Sequence, residues 1–461
     1  MQKKNFIRDQ PTFAELERTS ANPKNLLEHS GRLISSKTGL VRELRWTAKD
    51  VSEPFRPYIF RALLSNHRFV DKEEKEGRTA SGKGMTIAEA QASALGEALE
   101  RYCGGCWNIE EIVFRRRHEL DGESLNPHDL VLFAPSQYAE LHYSTYSDES
   151  VFGWVRARSL IGDELVFVPA LAVFMNYEIQ SPEEFIFPIT SNGLAAGPTL
   201  GDAILRAAFE VMERDAAMIT WLTRLPVTRV DPISHPDRDV QDICRAYRRR
   251  SVQFELYLLP TDHPVKVFVA VLYQENGEEG PAAVVGLGAD IEPWPAAKRA
   301  ILEAAQVRPG LRQRMRLPEV RRRMEELVDD PRRVTSLEDH DLLYASPKML
   351  GSFDFLRKRP LVSISWEQEA QSSTSLKLRC LTEHFQAENI KLLYFNLTSP
   401  DLEDFGLHAA RVIIPGFQPI DFGWKERRLG GERLYVLPER LGLRRRRQTL
   451  EDLNPKPHPI S

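Results

Sequence analysis

The sequence predicts a mixed α/β (α+β) protein in which helices pack on sheets, and three observations predict it. Short β-branched or aromatic runs recur along the chain, and helical patterns alternate with them. Hydrophobic residues make up 42% and charged residues 28%, the values of an ordinary globular core. A chain of 461 residues can bury that core without staples.

The elements follow in order. Residues 1–75 form a mixed, polar N-terminal segment. Residues 76–440 carry the alternating elements and read as one core. Helical patterns run over 86–103, 200–222, 238–250, 295–307, 318–327 and 371–387, each with apolar residues at helical spacing. Leu165–Val168, Phe254–Leu259, Val267–Leu272, Ala283–Val285, Leu361–Ser365, Lys391–Phe395 and Arg411–Ile414 read as strands, because each is a short run of strand-forming residues. The last two are short and apolar, so they belong to the core. Residues 441–461 are basic and then Pro-rich. Pro455, Pro457 and Pro459 each fix φ and remove a donor, which predicts an extended, polyproline-like tail.

Charge and composition exclude several classes. The formal net charge is −4, whereas a general nucleic-acid binder is markedly basic. No apolar run approaches the ~20 residues that span a bilayer, and the start lacks the apolar centre of a signal peptide. Four cysteines are too few for a disulfide scaffold, so a cytoplasmic location is expected. The expectation is no nucleic acid and no membrane.

Four local patterns mislead. Gly77-Arg-Thr-Ala-Ser-Gly82-Lys83 fits a P-loop until its eighth position, where Gly84 replaces the Ser or Thr that would hold Mg²⁺. It is then either a plain turn or a Gly-Lys-Gly anion contact ahead of a helix. Gly286-Leu-Gly-Ala-Asp290 lacks the third glycine of a dinucleotide fingerprint. Cys103-Gly-Gly-Cys106 has zinc or redox spacing but no second pair, and reads as buried thiols at a helix end. The basic runs at 115–117, 248–250, 321–323 and 444–447 read as solvated faces.

One helix pattern occurs three times. Ser93, Glu97 and Glu100 stand at i, i+4 and i+7, as do Arg206, Glu210 and Glu213, and Arg299, Glu303 and Gln306. At about 100° per residue each trio forms one stripe, with small apolar residues behind it. Singly, each is an amphipathic helix facing water. If the three stripes converge, five carboxylates meet, and at ~6 Å with an effective dielectric of ~20 each pair repels by about 2–3 kcal/mol. Such a cluster persists with protons or with cations, and Mg²⁺ suits carboxylate oxygens. Mg²⁺ brings phosphates, which Arg101, Arg206 and Arg214 can hold. The pattern points to a nucleotide site without a P-loop.

These residues resemble the YcaO family over nearly the whole chain. The matching stretches are Ser81-Gly-Lys-Gly84 with Ser93-x-x-x-Glu97-x-x-Glu100-Arg101, and Thr190–Gly197 with Glu210-x-x-Glu213-Arg214. Glu303-x-x-Gln306-x-Arg308 and Asp339-His340-x-x-x-Tyr344 complete the set. The resemblance implies a YcaO-type fold, with ATP and Mg²⁺ as cofactors bound in the 76–440 catalytic core. It assigns Glu97, Glu100, Glu210, Glu213 and Glu303 to metal, and Lys83, Ser93, Arg101, Arg206, Arg214, Gln306 and Arg308 to nucleotide. The Pro-rich tail is similar to that of azoline-forming members, whose last residues reach the active site, so Pro455, Pro457, Pro459 and Ser461 are expected to serve catalysis. The usual ending resembles Pro-His-Pro-apolar-Pro, and here Ser461 stands last. Pro309-Gly310 is expected to end the third helix early.

The implied activity is that of a stand-alone cyclodehydratase making thiazoline or oxazoline from Cys, Ser or Thr of a ribosomal precursor peptide, as in thiazole/oxazole-modified microcin or bacteriocin biosynthesis. Implied partners are a separate ubiquitin-activating-like protein that binds the leader, a flavin dehydrogenase that aromatises the rings, and a second copy in a homodimer. The alternatives are a YcaO enzyme making thioamides or amidines, and a non-catalytic docking or scaffold subunit.

Overall fold

The computed structural model describes residues 8–19, 27, 30–65, 79–274, 280–366 and 372–460. Three sheets carry the fold. β1 (Val41–Trp46), β2 (Tyr58–Leu64) and β3 (Thr79–Gly84) form an antiparallel three-stranded sheet in that order. It joins strands from both sides of residue 75, so the N-terminal segment shares a sheet with the start of the core. β4 (Val113–Arg115), β5 (Glu123–Ser124), β6 (Phe152–Ser159), β7 (Leu165–Pro169) and β8 (Leu194–Gly197) belong to a seven-stranded sheet. β9 (Thr228–Val230), β10 (Gln253–Leu258), β11 (Lys266–Tyr273), β12 (Ala283–Asp290) and β13 (Leu361–Val362) make a five-stranded sheet. β14 (Leu393–Asn396) and β15 (His408–Ile413) return to the seven-stranded sheet, in the order β5-β7-β6-β14-β15-β8 with β4 beside β6.

Three helices join these sheets: α1 (Ile87–Gly105), α2 (Leu200–Thr223) and α3 (Pro293–Arg314). α1 lies on β2, β3 and β8; α2 lies on β8, β15, β11 and β12; α3 lies on β11 and β12 and touches β3. Ala207, Ala208 and Met212 of α2 are fully buried between the two larger sheets, which places this helix at the centre of the main core. Lys391–Phe395 and Arg411–Ile414 are in the core as expected, with Tyr394 at 0% and Val412 at 1% exposure.

The sequence misreads two stretches. The Gly-Lys-Gly segment is neither a turn nor a phosphate loop but strand β3. A β-carbon on Gly82 would lie 2.0 Å from the Ala94 nitrogen, so only glycine lets α1 pack this closely. β12 repeats the device, and the Gly286–Asp290 segment is its second half. A β-carbon on Gly286 would lie 2.3 Å from the Ala304 nitrogen and 2.4 Å from the Ala300 oxygen. Gly286→Ala is therefore expected to destabilise the fold by about 3 kcal/mol, as read by urea unfolding. A change below about 0.5 kcal/mol would show that α3 can lift away.

The second misreading is Pro309, which does not end its helix: α3 continues to Arg314. Tertiary anchors outweigh the broken hydrogen bond. Arg308 and Arg312 both meet the buried Glu53 carboxylate, at 3.2 and 3.6 Å, Arg314 binds Asp341 at 2.6 Å, and Leu311 is buried. Three of the four basic runs meet acids, in Arg116–Glu119, Arg323–Asp339 and Arg446–Asp452, and Arg250 of the other donates to Ala246 O. Among the described residues no helix is long and apolar enough to cross a membrane.

Candidate nucleotide and metal site

Each of the three stripes stands on a strand–helix unit. β3 leads into α1, β8 into α2 and β12 into α3. Thr86 caps α1 by accepting from Glu89 N at 3.1 Å, and Glu89 returns the bond in a capping box; Thr199 caps α2 through Asp202 N. The alanine-rich faces bury Ala90, Ala94 and Ala98 of α1, and Ala300 and Ala304 of α3. With those faces docked, the stripes turn toward one another.

They converge. Ser81 N donates to Glu97 Oε2 at 3.0 Å, and Arg101 donates to Glu97 Oε1 at 2.7 and 3.1 Å. Lys83 Nζ donates to Glu303 Oε2 at 2.8 Å, and Gln306 Nε2 donates to Ser81 Oγ at 2.9 Å. Glu100, Glu210 and Glu213 make no such bond among the described residues, and they perturb one another. Burial, then Glu210 and Glu97, hold the Glu100 carboxyl well above its ordinary range. Burial raises Glu210 to about 7 against the pull of Arg214 and Arg411, with Glu303 adding to the rise. Burial raises Glu213 to about 8, with Glu303 and Glu210 adding to it and Arg214 opposing it. Burial also pushes Glu303 up, but Lys83 and Arg214 win and hold it below its usual value.

The ligand-free cluster therefore stores protons at neutral pH. The folded chain holds them more tightly than the unfolded chain does. Stability of the ligand-free protein is expected to fall as pH rises from about 4.5 through about 8. A cation must displace the same protons, so its affinity should climb over the interval from 6 to 8, about tenfold per pH unit for each proton lost. Titration with Mg²⁺ and a non-hydrolysable ATP analogue at several pH values measures this; a flat profile would contradict protonated carboxylates.

Cations complete the cleft. The buried Nε and Nη1 atoms of Arg214 have no hydrogen-bond partner. Arg206 is exposed to the cleft near Glu100 and Arg299, and makes no hydrogen bond or ion pair among the described residues. Ser93 is exposed on the Glu97 stripe. Sequence reasoning missed Arg411. It is 2% exposed and donates to the backbone oxygens of Val173, Asn192 and Thr190, at 3.1, 2.6 and 2.6 Å. It pins the Thr190–Asn192 loop beside Glu210 and Glu100. A lone arginine opening the apolar run Arg411–Ile414 was its one trace in the sequence.

Unpartnered arginine donors beside proton-storing carboxylates form a set that a polyphosphate with divalent cations satisfies, so the residues fit ATP and Mg²⁺. The five Glu side chains do not bring three oxygens within 4.8 Å of one another; among the described residues only His340, Asp421 and His458 form so tight a trio. An open arrangement suits Mg²⁺, which shares its ligands with phosphates and water.

The comparisons agree with that chemistry. A family model described as YcaO cyclodehydratase, binding ATP and Mg²⁺, matches residues 81–418. The chain belongs to the YcaO family. ATP and Mg²⁺ are its cofactors, and membership of the family supports an ATP-dependent enzyme. An uncharacterized protein of Methanothermobacter thermautotrophicus is 29% identical over 343 residues, 73% of this chain and 81% of that protein. An uncharacterized protein from the tfuA 3′ region of Rhizobium leguminosarum bv. trifolii is 28% identical over 235 residues, 49% of this chain and 54% of that protein. In fold, the chain is similar to a heterocyclase solved with substrate and cofactor, at TM-score 0.77 and 24% identity over 97% of this chain. It spans 60% of that heterocyclase's length. It is also similar to the YcaO protein of Methanopyrus kandleri bound with AMPPCP and Mg²⁺, at TM-score 0.58 and 21% identity over 85% of this chain and 88% of that one.

Arg308 is not in the cleft. It is 3% exposed, and donates to Gln274 Oε1 and Pro281 O beside Glu53. Five residues after Glu303 is about 140° around the helix, which turns Arg308 to the far side. Pro455, Pro457 and Pro459 lie in an irregular stretch that runs beside α2 into the interior, with Pro457 and Pro459 buried; Ser461 lies outside the described residues. Cys103 and Cys106 are free and buried at the end of α1, and burial raises their thiols to about 11 and about 12.

Proposed function

We propose that this YcaO protein is a cyclodehydratase that closes Cys, Ser or Thr side chains of a ribosomal precursor peptide onto the preceding backbone amide, giving thiazoline or oxazoline. The observation that carries the proposal is the cleft in which three proton-storing carboxylates face the unpartnered donors of Arg214 and the free guanidinium of Arg206. Glu97, Glu100, Glu210, Glu213 and Glu303 would hold Mg²⁺, while Lys83, Ser93, Arg101, Arg206, Arg214 and Gln306 would hold ATP. Bound ATP would supply the phosphoryl group that activates the amide oxygen and is lost as phosphate.

The chain's own residues do the positioning. Glu97 is fixed from both sides by Ser81 N and Arg101, and Glu303 by Lys83 and Leu287 N. Pre-set groups of this kind stabilise developing charge without reorganising. The Pro-rich segment supports the azoline reading over thioamide or amidine formation, because it is threaded into the interior. A separate ubiquitin-activating-like protein would present the leader, and a flavin dehydrogenase would act on the finished rings.

The test combines the chain with ATP, Mg²⁺, a Cys/Ser/Thr-rich precursor and its leader-binding partner. Peptide mass should fall by one water per ring, with one phosphate released. Sulfur replacing oxygen would point to thioamide formation instead. An unchanged mass with every component present would overturn the proposal.

A further inference from the structure

The segment Asn454–Ile460 enters the protein with an unusual set of bonds. Its carbonyls at four successive residues each meet a side-chain donor. Pro455 O accepts from Trp424 Nε1 at 2.8 Å, and Lys456 O from Trp221 Nε1 at 3.1 Å. Pro457 O accepts from the Tyr344 hydroxyl at 2.6 Å, and His458 O lies 2.6 Å from His340 Nδ1. Prolines explain why so extended a chain can be buried. Pro455, Pro457 and Pro459 have no N–H to leave orphaned. The N–H groups of Lys456 and Ile460 turn back on the segment itself, to Asn454 Oδ1 and His458 Nδ1, both at 3.2 Å.

The donors come from separate elements. Trp221 is on α2, His340 and Tyr344 are on α4 (Leu337–Tyr344), and Trp424 is on a loop. His340 and Tyr344 are one helical turn apart and take adjacent carbonyls. The His340 and His458 rings stack at 3.7 Å and 8°. With Asp421 they form the tight trio noted above, but parallel rings keep their nitrogen lone pairs from converging on one ion. His458 Nε2 already faces Asp421 O at 2.8 Å. The trio is built as a grip rather than a metal centre.

We propose that His340, Tyr344, Trp221 and Trp424 are positioning residues, a clamp that sets the register of residues 455–458 and so decides where the end of the segment lies relative to the carboxylate cleft. Asn454 N bonds to Leu222 O on α2, which stands about 13 Å along the helix axis from the level of Glu213. The stretch from Pro455 to Ile460, at about 3.1 Å per residue, can cover that distance. A shift of one residue would move the end by about 3 Å, the scale on which positioned reactants lose rate steeply.

The inference rests on the proposed cyclodehydration for its rate readout only. Tyr344→Phe removes one hydroxyl and Trp424→Phe one N–H, so both variants should fold. In the double variant, amide exchange of the 454–460 peptide should rise about 100-fold, with α1 and α2 unchanged. The kcat for ring formation should fall at least tenfold, with the affinity for a non-hydrolysable ATP analogue unchanged. His340→Asn, which keeps a donor, should retain more kcat than His340→Ala. Unchanged tail exchange, or freed exchange with unchanged kcat, would overturn the clamp. So would a stoichiometric metal that is lost with His340→Ala. If the unaltered protein forms no ring, the cyclodehydratase reading fails, while the exchange measurement still tests whether the four side chains hold the segment.

Discussion

Replacing Glu213 by Gln should abolish ATP turnover and, at pH 9, raise the melting temperature of the ligand-free protein. The two effects have one cause. Glu213 sits in the cluster with its carboxyl raised to about 8 by burial and by its neighbours Glu303 and Glu210. At pH 9 it is ionised at the expense of the fold, and an isosteric amide removes that repulsion. The same charge is what a cation needs. With Glu213 holding Mg²⁺ as proposed, its loss should lower turnover by at least about 100-fold. The ligand response separates the cases further. A ligand present at 100 times its Kd stabilises a protein by about 2.7 kcal/mol, and the variant should show almost none of that shift with Mg²⁺ and an ATP analogue. Thermal melts with and without ligand measure both effects. A variant that is less stable without ligand yet still stabilised by it would place Glu213 in the scaffold instead.

Arg411→Met is the second large effect, and its sign in stability is opposite. The guanidinium is buried and donates to three loop carbonyls from three of its nitrogens. Removing it strands those oxygens and takes away one of the buried positive charges that face Glu210 and Glu100, leaving Arg101 and Arg214. Breaking a buried charge of this kind is expected to cost about 3–5 kcal/mol. Arg411→Lys should rescue little, because one ammonium cannot span the Val173, Thr190 and Asn192 oxygens as a planar fork does. Urea unfolding of both variants decides it; a Lys variant within about 1 kcal/mol of the original would show that charge alone matters.

The sequence revealed the parts of the site that are local and hid those that are not. Glu97, Glu100, Glu210, Glu213 and Glu303 were legible because a stripe at i, i+4 and i+7 repeats on three helices, and helical phase depends only on residue count. Phase also exposes the misassignment of Arg308, since its number already places it on the far side of α3. β3 was misread because glycine is a poor strand former; it is there for α1, a partner that local propensity does not see. Pro309 was misread for the same kind of reason, since Glu53 and Asp341 hold the last turns of α3 from far along the chain. Arg411 was invisible because its partners are backbone oxygens some two hundred residues away.

Strand β3 serves two helices at once. Gly82 and Gly84 face α1, while Ser81 and Lys83, on the other face, reach Gln306 and Glu303 on α3. A slip of one residue in its pairing with β2 would exchange the faces. Lys83 would then be driven into Ala90 and Ala94, and a glycine would be left where Glu303 expects an ammonium. Deleting one residue inside 79–84 should thus abolish the site.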